Sequence, residues 1–235
     1  MGFKIIDLNN IINTLKIKSD VDINKMTFIE LGEQEFKITY NDDDINENIR
    51  KFINSKPRSF KKNDERYSFF AKDYLNFIFK SVDSTDIECL CCYSFNIDLG
   101  RCIKIQHFYK TYDVINNNGT TEHVGQIKEN FETNTYNPQY EVFKNIHNLL
   151  NMGGFVFNCV PYLNVKHGAY NYDLAFFEDL IELNNYEKIY LYKELRGKLE
   201  HVYCCFKKKE NIEFISIEKF KKIRGLLKRK IKNPK

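Results

Sequence analysis

At 235 residues the chain suits one large domain, or one domain with extensions. Hydrophobic residues make up 43% and aromatics 15%, so a sizeable core can form, built on Phe and Tyr because Trp is absent. The net charge is only +4, which excludes the overall charge of a dedicated nucleic-acid binder.

Residues 3–25 read as a peripheral helix and a connection, with Ile5, Ile6, Leu8, Ile11, Ile12 and Leu15 at roughly helical spacing. No apolar run there is long enough for a signal peptide or a membrane span. Met26–Gly32 reads as a strand ending in Glu30 and Gly32, where a glycine lets the backbone turn tightly near a ligand. Glu33, Gln34 and Glu35 stand where a glycine-rich fingerprint would place further glycines. Residues 41–50 form an acidic loop leading to a helix. The pattern over Asp64–Leu75 predicts a helix with Tyr67, Phe70, Ala71, Tyr74 and Leu75 on one face.

Three short strands are expected next. Phe77–Val82 ends on Asp83, Cys91–Ile97 leads to Asp98, and Tyr112–Ile115 runs into Asn116, Asn117, Asn118, Gly119, Thr120, Thr121, Glu122 and His123. In open α/β sheets, ligands bind beyond the carboxyl ends of strands where strand order reverses. A strand that breaks into small polar residues and closes on an acid and an imidazole is therefore a candidate wall of a site.

Asn137-Pro138 opens a further helix, which Gly153-Gly154 is expected to stop. Phe155–Val160 reads as a strand covered on both faces. The loop 164–173 carries His167, Tyr170, Asn171 and Tyr172, and Leu174–Leu183 is the next helix. Lys188–Leu195 and His201–Lys207 flank Arg196-Gly197-Lys198 as an antiparallel hairpin. The seven cysteines (Cys89, Cys91, Cys92, Cys102, Cys159, Cys204, Cys205) show no disulfide spacing and fit a reducing, cytoplasmic compartment. Cys89 and Cys92 have no facing pair, so no metal site is expected.

In this order, Gly119-Thr120-Thr121-Glu122-His123-Val124, Gly153-Gly154, Pro161 with His167-Gly168-Ala169-Tyr170-Asn171-Tyr172, and Phe176-Phe177-Glu178-Asp179-Leu180 resemble a branch of the class I S-adenosylmethionine-dependent methyltransferases. The resemblance spans about Phe28 to Phe206. It implies an α/β, Rossmann-like, doubly wound sheet of seven strands, mostly parallel, with an antiparallel terminal hairpin. The whole chain, 1–235, would be a single domain: a core of about 26–208, a helical extension 1–25, and a basic helical tail 209–235. The resemblance implies S-adenosyl-L-methionine as cofactor. Glu30 and Gly32 would sit at its amino-acid part, Asp83 at the ribose hydroxyls, Asp98 at the adenine amino group, and Asn116 and Asn117 beside the sulfonium. The replaced glycines after Gly32 depart from the family pattern.

Methyl transfer needs in-line alignment and exclusion of water more than covalent help. An oxygen acceptor must also lose a proton, and a histidine suits that task. His123 or His167 is expected as base, with Glu122 orienting an imidazole or a hydroxyl. Tyr170, Asn171 and Tyr172 are expected to face a small-molecule or sugar-like substrate. The tail Lys219–Lys232 is basic and helical in period, so nucleic acid is a second candidate partner and a membrane surface a third. A non-catalytic, partner-binding role is also open.

Overall fold

The computed structural model describes residues 3–39, 47–55, 61–62, 66–87, 94–104, 106–125, 136–163 and 167–228. Helix α1 (Ile5–Lys18) buries Ile5, Leu8, Ile11 and Leu15, the stripe that spacings of three and four residues dictate. Asp7 in its first turn accepts a hydrogen bond from the Lys4 amide at 2.8 Å. Strand β1 (Thr27–Leu31) follows. Strand β2 (Glu35–Thr39), helix α2 (Glu47–Asn54), strand β3 (Lys61–Lys62) and strand β4 (Arg66–Phe70) come next, with β2, β4 and β3 forming a small antiparallel sheet.

The helix expected over Asp64–Leu75 is thus half strand. Phe69 lies opposite Phe36 across β2 and β4, their rings 5.8 Å apart, and cross-strand aromatic pairing overrides the helical spacing. Only Ala71–Leu75 is helical, as α3. Its exit turn consumes Phe77–Phe79, whose amides donate to Tyr74 and Leu75 carbonyls. Strand β5 therefore runs Ser81–Asp86 rather than Phe77–Val82.

Strand β6 is Phe95–Asn96; the rest of the expected strand, with Cys89, Cys91 and Cys92, lies outside the described residues. Strand β7 (Tyr112–Asn118) continues three residues past the expected end at Ile115. Helix α4 (Pro138–Leu149) starts where expected, the Asn137 side chain accepting from the Gln139 and Tyr140 amides. It ends without help from the glycines. Strand β8 (Leu150–Pro161) begins at once, and Gly153, at φ +79°, sits where its register against β7 shifts. Strand β9 (Tyr170–Tyr172), helix α5 (Leu174–Leu183), the hairpin β10 (Glu187–Arg196) and β11 (Leu199–Lys207), helix α6 (Ile217–Phe220) and strand β12 (Leu226–Lys228) complete the order.

The main sheet has the order β10-β11-β8-β7-β1-β5-β6. β1 pairs in parallel with β5 on one side and β7 on the other, while β11 is antiparallel to both β8 and β10. Strand order thus reverses between β1 and β7. Side chains alternate between faces: Ile29, Leu31, Ile115 and Val156 join one apolar cluster with α4 and α5. Phe28, Val114, Phe155 and Phe157 join another with α1 and α2. No helix among the described residues is long and apolar enough to cross a membrane.

Over its described part, to Lys228, the tail is not a basic helix. α6 is one turn, and β12 pairs antiparallel with β9, Leu226 opposite Tyr172 and Lys228 opposite Tyr170. The Asp173 amide donates to the Gly225 carbonyl at 2.7 Å, and Arg224 pairs with Asp179 at 2.6 Å.

His147 on α4 makes a pH prediction. It is buried, with Nδ1 2.6 Å from the Tyr186 hydroxyl and Nε2 2.7 Å from the Ile212 carbonyl. Burial, with the nearby Lys208 cation, holds its pKa down to about 4. The unfolded chain, with an ordinary value of about 6.5, binds the proton first as pH falls. The stabilisation is fully present above that value and is lost on acidification, by about 1–3 kcal/mol. Urea melts of wild type and His147→Gln should converge as pH drops from about 7 to about 4.5; parallel curves would refute the assignment.

Candidate active site

The topology leaves a cavity of about 390 Å³ at the carboxyl ends of β1, β5, β6 and β7. Gly32, Glu33 and Gln34 after β1 line one side. Thr85, Asp86 and Ile87 at the end of β5, and Ile97, Asp98 and Leu99 after β6, line the next. Gly119, Thr120, His123, Val124 and Gly125 after β7 close it.

Gly32 stands at φ +74°, and a Cβ there would run into the Thr120 side chain. The Thr120 hydroxyl in turn donates to the Leu31 carbonyl. The turn is therefore closed on backbone alone, as a close approach to a ligand requires. The Asp86 carboxylate faces the cavity and accepts from the Glu33 amide at 3.2 Å. Asp98 also lines it, accepting from the Gly100 amide at 2.9 Å and pairing with Arg101 at 3.2 Å.

Several expected residues stand elsewhere. Asp83 is mid-strand on β5, where it accepts from the Tyr112 hydroxyl at 2.8 Å and pairs with Lys110 at 3.0 Å. Because β5 starts four residues later than expected, the acid at its end is Asp86. Glu30 is fully buried within β1, and burial pushes its carboxyl well above the usual range. Asn116 and Asn117 are buried within β7 because that strand continues to Asn118. Asn117 donates to Thr121 Oγ1 and Asn158 Oδ1 at 3.0 and 2.9 Å, bracing the strand end rather than facing the cavity.

Tyr170, Asn171 and Tyr172 form β9 and are almost wholly buried. The Tyr172 hydroxyl donates to Gln139 Oε1 at 2.7 Å, and Asn171 donates to the Tyr162 carbonyl at 2.9 Å. The polar tips of Asn171 and Tyr172 are thus spent on the protein, so these two brace the site instead of facing a substrate. The part of the expected loop at 164–166 lies outside the described residues.

Glu122, His123 and His167 do converge. A 3-10 turn, Thr121–His123, turns His123 into the cavity and Glu122 inward. The Ala169 amide donates to the Glu122 carbonyl at 2.7 Å and carries His167 against them. His123 Nε2 lies 2.9 Å from His167 Nε2, the rings at 90°. Glu122 Oε1 is 3.7 and 3.6 Å from those two nitrogens. Burial pushes the Glu122 carboxyl up to about 7. Gly168 permits the approach: at φ +68°, a Cβ there would stand 2.6 Å from Glu122 Cγ.

The parallel strands with one antiparallel strand second from the edge, and the cavity at the point of reversal, decide the architecture. The chain has a doubly wound, Rossmann-like α/β fold. No protein-family model matches the sequence, and no curated protein does. Among solved structures it is similar to the N-methyltransferase NodS from Bradyrhizobium japonicum WM9 in complex with S-adenosyl-l-homocysteine, at 10% identity and TM-score 0.47, over 87% of this chain and 86% of that one. A 1,6-didemethyltoxoflavin-N1-methyltransferase from Burkholderia thailandensis matches at 10% identity and TM-score 0.44, over 87% and 82%. An rRNA methylase from Streptococcus thermophilus matches at 10% identity and TM-score 0.44, over 87% and 97%.

Asp86 is a cavity residue that the expected strand boundaries left without a role. A signal for Asp86 was present: Ser84-Thr85-Asp86 is a run of small polar residues of the kind that ends strands.

Proposed function

We propose that the chain is an S-adenosylmethionine-dependent methyltransferase acting on a small, polar, carbohydrate-like acceptor. The observation that carries this reading is a single cavity holding a side-chain-free turn at Gly32, carboxylates at two successive strand ends, and His123, behind which stand Glu122 and His167. These residues fit the cofactor. Asp86 would accept from the ribose hydroxyls, since a carboxylate is acceptor-only and can take two donors. Asp98 would take the adenine amino group, with Ile87, Ile97 and Leu99 against the ring faces. The Gly32 turn would admit the amino-acid part, where no side chain can stand.

When bound, S-adenosylmethionine supplies a methyl carbon made electrophilic by a positive sulfur. The protein's part is to hold an acceptor in line with that carbon and to keep water away. Thr120, His123 and Val124 form the wall after β7 where the acceptor would stand. Glu122, His123 and His167 would orient the acceptor atom and help remove its proton, imidazole being suited to that near neutrality.

A small acceptor is favoured over nucleic acid by the modest charge and by the tail. Its described part is tied into the fold through β12 and the Arg224–Asp179 pair rather than presented as a basic face.

Calorimetry with S-adenosylhomocysteine tests the reading: one site per chain is expected, and a folded protein that takes up none is not a methyltransferase. Once a screen of nucleotide sugars and metabolites with labelled cofactor identifies an acceptor, His123→Ala and His167→Ala should each lower turnover by about a hundredfold at similar cofactor affinity. Full turnover by both would remove the cluster from the chemistry.

A further inference from the structure

We propose that Glu122, His123 and His167 form a binding site for a divalent transition-metal ion of the zinc class, set in the wall of the cavity with its open position toward the acceptor. The site itself stands on its own geometry. The role of the ion in methyl transfer rests on the proposed function.

The three donor atoms, Glu122 Oε1 and the two Nε2 atoms, are separated by 2.9, 3.6 and 3.7 Å. An ion about 2.1 Å from each donor would place them about 3.0 Å apart at a right angle and about 3.4 Å apart at a tetrahedral angle. The observed triangle matches those spans with side-chain shifts of a few tenths of an ångström. Two imidazoles and a carboxylate are also a donor set that borderline divalent ions select, as in catalytic zinc sites with a fourth, open position.

A second observation points to a ligand independently. Glu122 is fully buried, yet neither of its carboxylate oxygens has a hydrogen-bond partner. Burying a carboxyl without a hydrogen bond is costly, and a cation between it and the imidazoles would satisfy it. The side chains of His123 and His167 are 40% and 29% exposed, so the donors form a half-open cup with the acid at its base.

The surroundings hold this cup in shape. The Ala169 amide fixes the His167 loop to the Glu122 carbonyl, and Gly168 leaves no room for a side chain between them. Thr121, the residue before Glu122, accepts a hydrogen bond from the Asn117 side-chain amide, and its hydroxyl lies 3.1 Å from that of Tyr172. With an ion bound, the imidazoles act through it, and an oxygen placed at the open position has its pKa lowered by the cation. That directs the site toward hydroxyl or hydroxy-acid acceptors.

The test is titration of the chelator-treated full chain with Zn²⁺ by calorimetry and with Co²⁺ by visible absorption. One ion per chain is expected, with the intense Co²⁺ bands of a low-symmetry site. His123→Ala, His167→Ala and the near-isosteric Glu122→Gln should each weaken binding about a hundredfold or more, since even outer-shell changes cost tenfold to a hundredfold. Circular dichroism identifies variants that fail to fold; Glu122→Gln is the variant expected to keep its shape. No uptake by the folded wild type, or equal uptake by wild type and all three variants (an adventitious ion only), overturns the proposal. S-adenosylhomocysteine binding is measured on the same samples. Its absence alongside specific metal uptake would sink the methyltransferase reading and leave the metal site standing.

Discussion

Replacing Asp86 with alanine should abolish measurable binding of S-adenosylhomocysteine, while replacing Asp83 should leave affinity within about twofold of wild type. Asp86 ends β5 and faces the cavity, one residue beyond the Thr85–Leu31 pair that sets it beside Gly32. Two charge-assisted hydrogen bonds to ribose hydroxyls at about 1.5–3 kcal/mol each amount to a loss of a hundredfold or more. Asp83 has a different task. It receives the hydroxyl of buried Tyr112 and pairs with half-exposed Lys110. Asp83→Ala leaves that hydroxyl without its acceptor, so it should cost about 1–3 kcal/mol of stability. Calorimetry and urea melts on the two variants separate the effects. If Asp83→Ala loses the ligand and Asp86→Ala keeps it, the strand-end assignment is wrong.

Truncation after Ile217 should destabilise the whole domain. Phe220 of α6 is 2% exposed. Its ring lies 5.6 Å from Tyr140, 6.2 Å from Phe176 and 6.4 Å from Phe143 by centroid. Removing such a side chain costs about 3–5 kcal/mol. Losing β12 then strips the hydrogen-bonded partner from β9, whose Tyr172 braces Thr121 beside the cluster. For a domain of this size a melting temperature lower by about 10 °C or more is expected. Phe220→Ala, which keeps the strand, should reproduce most of that drop. A truncated chain that melts with wild type would mean that the tail is peripheral after all.

These corrections follow one physical pattern. The elements legible in the sequence carry their own local signals. α4 has Asn137-Pro138 at its start, α5 has Asp173, and the last hairpin turns on Gly197. The seven-stranded, mostly parallel sheet with its antiparallel hairpin followed from the resemblance and from the alternation of strands and helices. What stayed hidden depended on partners far away in sequence. Arg66–Phe70 reads as part of a helix until β2 supplies a strand to pair with. Asp83 looks like a strand end until the turn leaving α3 is seen to absorb Phe77–Phe79. Tyr170, Asn171 and Tyr172 have the composition of a binding loop, yet β12 turns them into a buried strand. The cluster itself was half legible: Glu122, His123 and His167 stood out as residue types. Their mutual distances, and the unpartnered state of the carboxylate, arise from a loop contact across 44 residues.

The pairing of β9 with β12 also orders events during synthesis. Chains of this size generally begin to fold as they emerge, earlier segments first. β9 must wait for more than fifty further residues before β12 reaches it. Until then its edge is an open template of the kind that invites pairing with other chains. The wall that steadies the acid and imidazoles thus closes late, after the central sheet. A nascent chain would acquire its central sheet before β12 arrives to close the wall behind the cluster.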